Sequence, residues 1–232
     1  VVCGSSIPDY EGRAKTETDS AAYVDRRLKM LAKSIEAIFR SDPDSPLIQL
    51  EPARLLPLSI EIEPGASFLM NSLDRYKQLK KQLGEHSLFL RDHALLNIDV
   101  AHMMLLGEDH VAVLKSLISK GLDSEVRHMH ISDHAMTHAC DLVPGSYHFY
   151  CDYQPWLSFA IELANKNTRF SRVIAVEMEA CNDIHEATLA IEKVRRWLES
   201  TPKLTEVAES KAASLLNQGV LLVVDIGNST AR

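Results

Sequence analysis

The sequence predicts an α/β fold of the (β/α)8 barrel type, present here only in part. Three observations carry that expectation. Helical periodicity and short strand-like runs alternate along the chain, an order that requires crossover connections and therefore parallel pairing. Four of the strands are amphipathic, whereas a sheet covered by helices on both faces would read as nearly continuous apolar runs. Their ionisable residues fall toward the C-terminal ends, where the mouth of a barrel collects its working groups.

Residues 1–7 read as the first strand and residues 8–18 as a polar loop. Val24, Leu28, Leu31, Ile35 and Ile38 then step by four and three, predicting an amphipathic helix capped near residues 18–20. Residues 40–57, with Pro43, Pro46, Pro52 and Pro57, read as a second loop. In the strand 58–63, Leu58, Ile60 and Ile62 oppose Ser59, Glu61 and Glu63. A helix follows through Leu73, Tyr76, Leu79 and Leu83, behind Asn71 or Ser72. The strand 95–100 sets Leu96, Ile98 and Val100 against Asn97 and Asp99. Val111, Leu114, Leu117 and Ile118 mark the next helix, which Gly121 should end. In the strand 126–132, Met129 and Ile131 oppose His128, His130 and Ser132. Pro155 opens a helix through Trp156, Phe159 and Leu163. The strand 172–179 sets Ile174, Val176 and Met178 against Glu177 and Glu179. Asp183, with Glu186 three residues on, starts a helix through Ile184, Ala187, Ile191, Val194 and Leu198.

Composition narrows the functional classes. Of 232 residues, 46% are hydrophobic and 25% charged, enough for a substantial folded core. The net charge of -7 disfavours nucleic acid, whose binders need a basic face. The longest apolar stretch, residues 220–224, is far shorter than the roughly 20 residues that span a bilayer. Cys3, Cys140, Cys151 and Cys181 show no CxxC spacing, and no secretory signal is seen in the opening residues. The expected setting is cytoplasmic and reducing, with no membrane partner.

Glu61, Asp99, His130 and Glu177 would converge at the barrel mouth. Three carboxylates so close repel one another unless a cation sits among them. An oxygen-rich set with one imidazole suits Mn2+, Mg2+ or Co2+, with Zn2+ also compatible.

Several of these strands resemble the xylose-isomerase-like TIM-barrel superfamily, which includes sugar-phosphate isomerases, ketose 3-epimerases and endonuclease IV-type enzymes. Asn97-Ile-Asp-Val-Ala-His-Met103 resembles its D-x-x-H strand, and His130-Ile-Ser-Asp133 its H-[IL]-x-D strand. Ser59-Ile-Glu-Ile-Glu-Pro-Gly65 and Ala175-Val-Glu-Met-Glu-Ala180 resemble its glutamate-bearing strands. His138-Ala-Cys-Asp-Leu-Val-Pro-Gly145 resembles the loop that in the family reads H-x-P-x-G. The resemblance implies a metal tetrad of Glu61, Asp99, His130 and Glu177, with Glu61 and Glu177 also moving the substrate proton. It implies substrate-facing roles for His102, Glu63, His128, His138 and Glu179. The choice within each glutamate pair, 61 or 63 and 177 or 179, stays open.

The expected function is a divalent-metal-dependent isomerase or epimerase acting on a sugar or cyclitol. An endonuclease IV-like metal phosphodiesterase and a non-catalytic metabolite-binding barrel are the alternatives. Residues 1–200 form the partial barrel in this reading, with three βα units absent and a start at Val1 that suggests a fragment. Residues 201–232 form an extension, read as a linker helix and a strand ending in Asp225-Ile-Gly-Asn-Ser-Thr230. That strand resembles the first phosphate loop of actin-like kinases, a resemblance that implies fusion to a further domain; a plain terminal strand is the alternative.

Overall fold

A computed structural model describes residues 21–40, 57–63, 68–105, 110–134, 142–146, 153–178, 181, 183–201 and 221–225. The expected strand 1–7, nearly all of both long loops, and the helix after residue 203 lie outside these residues. The chain divides into two compact units, 1–96 and 97–232, and the division falls inside one strand.

The first unit holds α1 (Ala21–Arg40), β1 (Leu58–Glu61), α2 (Leu73–His86), α3 (Leu88–His93) and the start of β2 (Ala94–Asp99). The apolar face of α1 buries Tyr23, Val24, Leu28, Ala32 and Ile35, and the helix packs on α2. Across that contact Gln82 Nε2 donates to Asp25 Oδ1 at 3.2 Å. Ser72 caps α2, its hydroxyl accepting from the Arg75 N–H at 3.3 Å. Tyr76, fully buried, donates its hydroxyl to the Ala94 carbonyl at 3.0 Å and so fixes α2 against the start of β2. In the sheet β1 and β2 are neighbours. The short α3 has no counterpart in the sequence reading, because little more than one turn is too short to show a period, and only Leu90 of it is buried.

The second unit continues with the end of β2, α4 (Val100–Leu105), α5 (His110–Ser119), β3 (Val126–Ile131), α6 (Gln154–Lys166), β4 (Val173–Glu177), α7 (Ile184–Ser200) and β5 (Leu221–Asp225). Its strands lie in the order β2-β3-β4-β5. β3 and β4 run parallel with His130 opposite Ala175, and β4 and β5 run parallel with Glu177 opposite Asp225. Gly121 ends α5 at φ +67°, with its own N–H bonded to the Ile118 carbonyl and the Leu122 N–H to Leu117. Those two bonds form the Schellman arrangement that satisfies the last helical carbonyls. Asn167, after α6, donates to the carbonyls of Asp123 and Val126 and ties the helix end to the entry of β3. Asp183 caps α7 by accepting from the His185 N–H at 2.9 Å.

Two expectations are corrected. Val100 opens α4 rather than closing the strand, because Asp99 Oδ1 accepts the His102 N–H at 2.9 Å and acts as an N-cap. The strand at 221–225 does not stand apart from the sheet. It pairs in parallel along the whole of β4, so residues 221–225 extend the same sheet rather than opening a separate one. Among the described residues, no helix is long and apolar enough to cross a membrane.

Candidate metal centre

The C-terminal ends of β2 and β3 bury both of their faces, although one face is polar. Asn97 and Asp99 on β2 are fully buried, His130 on β3 is 6% exposed, and Ser132 just beyond β3 is fully buried. Parallel alignment brings the C-terminal ends of these strands to one level. Asp99 is the last residue of β2, His130 the last but one of β3, and Glu177 the last of β4.

Asp99, His130 and Glu177 each offer a ligand atom, and these atoms lie within 4.8 Å of one another. His130 Nδ1 meets Glu177 Oε2 directly. Asp99 Oδ1 accepts from the His102 N–H at 2.9 Å, and the Ser132 hydroxyl lies 3.0 Å from each Asp99 oxygen. Two carboxylates at this spacing repel by roughly 3 kcal/mol at an effective dielectric near 20. One imidazolium can neutralise only one of them, whereas a divalent cation attracts both and accepts the imidazole as well. Two carboxylates and one imidazole, convergent and with Asp99 and His130 buried, fit Mn2+, Mg2+, Co2+ or Zn2+.

Around this trio the other residues take distinct places. His102 lies on α4, buried at 4% exposure. His128 packs edge-on against His130, ring centres 5.0 Å apart, and bonds to the Ser171 hydroxyl at 3.2 Å. Ser171 precedes β4, so His128 reaches toward the end of that strand opposite Glu177. His134 is 2% exposed, and burial holds its imidazole below the ordinary value, Asp133 pulling the other way. Paired backbone bonds between Asp133 and Leu142, 2.9 and 3.1 Å, close the loop after β3. In the turn beyond Leu142, Gly145 sits at φ +78°, where an added Cβ would fall 2.2 Å from Lys193 Nζ. Neither polar side-chain atom of Asn97 has a hydrogen-bond partner among the described residues.

Glu61 and Glu63 belong to the first unit. Glu61 ends β1 at 2% exposure, and Glu63 is half-buried with its N–H on the Met70 carbonyl at 2.9 Å. His138 and Glu179 lie outside the described residues. The sequence reading passed over Ser132 and Tyr153. Ser132 shares the face of His130 two positions back, a usable signal, whereas nothing local marks Tyr153.

Comparison with protein-family models, with curated proteins and with solved structures finds no match. The functional reading therefore rests on the chemistry of the site.

Proposed function

We propose that this chain is a divalent-metal-dependent isomerase or epimerase of a sugar or cyclitol, built on part of a (β/α)8 barrel. In this reading Asp99, His130 and Glu177 hold the cation, and Glu61 is the fourth ligand that the family resemblance implies. The convergence of buried Asp99 and His130 with partly exposed Glu177 at three neighbouring strand ends is the observation that carries it.

The order of the strands supports the barrel. Consecutive parallel strands joined by right-handed crossovers place every helix on one face of the sheet. In a barrel the other face is covered by the sheet's own curvature, and the burial of Asp99 and His130 is in keeping with such a face. A doubly wound sheet reverses its order at a switch point, and β2 to β5 show no reversal.

A bound cation would polarise a substrate carbonyl and acidify the proton on the adjacent carbon. The chain's own part is to take that proton from one face and return one from the other. Glu177, whose side chain is 17% exposed, and Glu61 are the carboxylates assigned to this work. His130, against Glu177, holds that carboxylate in place.

The test is a panel of ketoses incubated with the protein and Mn2+ in D2O. Deuterium should enter at the carbon beside the carbonyl of at least one of them. Glu177→Gln and Glu61→Gln should each lower that exchange at least a hundredfold, with circular dichroism unchanged. Exchange that persists in both variants contradicts the role assignment.

A further inference from the structure

We propose that Ser132 is a positioning residue that sets the Asp99 carboxylate for the cation, and that Tyr153 holds Ser132 in turn; this rests on the metal reading above. The Ser132 hydroxyl stands 3.0 Å from both Asp99 oxygens, and Ser132 has no solvent exposure. Asp99 sits at the end of β2 and Ser132 just past the end of β3, so the hydroxyl bridges two neighbouring strand ends. With the His102 N–H at 2.9 Å, it fixes the carboxylate in one orientation while leaving lone-pair capacity for a further partner.

The support extends one layer further. Tyr153, 5% exposed, donates its hydroxyl to the Ser132 carbonyl at 3.0 Å. Its ring stacks on Trp197 of α7, centres 4.8 Å apart and planes 17° from parallel. Lys193, one turn before Trp197, lies over that indole and donates to the Gly145 carbonyl at 3.2 Å. A rigid tie thus runs from α7 through Tyr153 to Ser132 and Asp99. Groups that orient a ligand in this way commonly account for ten- to hundredfold of metal affinity.

Mn2+ titration by calorimetry, with melting of the metal-free protein followed by circular dichroism, tests this. Ser132→Ala should bind Mn2+ about ten- to hundredfold more weakly, and Ser132→Thr should recover most of the loss. Tyr153→Phe keeps the stacked ring and should weaken binding severalfold. Should Ser132→Ala not fold, the equal-sized pair Ser132→Thr and Ser132→Val isolates the hydroxyl, and only Thr should bind tightly. A lowered melting temperature with unchanged Mn2+ affinity makes Ser132 structural and overturns the proposal. Wild-type protein that binds no Mn2+ overturns the metal reading, and this inference with it.

Discussion

His134 shows how burial can outweigh a neighbouring carboxylate in setting a pH dependence near the site. It is 2% exposed, and burial lowers its imidazole from the ordinary 6.5, Asp133 opposing in part. The folded chain therefore binds this proton less readily than the unfolded chain. As pH falls through about 6.5 the unfolded state takes up the proton first, and stability declines until the folded-state value is passed. Urea denaturation of wild type and His134→Gln from pH 8 to 5 should show a shallower acid-side loss in the variant. Parallel slopes would mean that His134 does not titrate differently on folding. At this scale the ionisable site residues were readable from alternation within single strands. Asp99, His130 and Glu177 stand opposite apolar neighbours, and three strand ends do bring them together. Ser132 is readable as sharing the polar face of His130, but its role becomes clear only once Asp99 is seen 3.0 Å away.

Gly121 is the clearest case of an element boundary determined by backbone conformation. Its φ of +67° is costly for any residue with a Cβ, yet an added methyl there would meet nothing within 4 Å. Gly121→Ala should therefore destabilise the protein by about 1 kcal/mol through conformation alone, and Gly121→Asn by less. Thermal melting of both variants checks this, and an unchanged Ala variant would show that α5 ends by another route. The long helices were legible because each shows a full apolar stripe and a recognisable start. Ser72 and Asp183 both cap as the sequence suggests. The boundary at Val100 was not legible, because an apolar residue suits the end of a strand as well as the first turn of a helix. What decides it is a side-chain bond from the residue before, Asp99 to the His102 N–H.

For the molecule as a whole, strand order was the inference with most leverage. Alternating elements predicted parallel neighbours, and β3, β4 and β5 run parallel in chain order. The position of β5 was missed: an apolar run ending in Asp-x-Gly resembles a phosphate loop, and the run itself does not say which strand it will lie beside. Because β5 extends the sheet at β4, residues 221–225 contribute to the scaffold whose strand ends carry the site. Everything proposed about activity depends on that scaffold holding Asp99, His130 and Glu177 as a cation site. Calorimetric titration of Mn2+ into wild type and Asp99→Ala tests this most directly. One Mn2+ per chain should bind the wild type, and Asp99→Ala should lose at least a hundredfold in affinity while keeping its circular dichroism spectrum. Equal affinity in the two proteins, or no binding to the wild type, would contradict it.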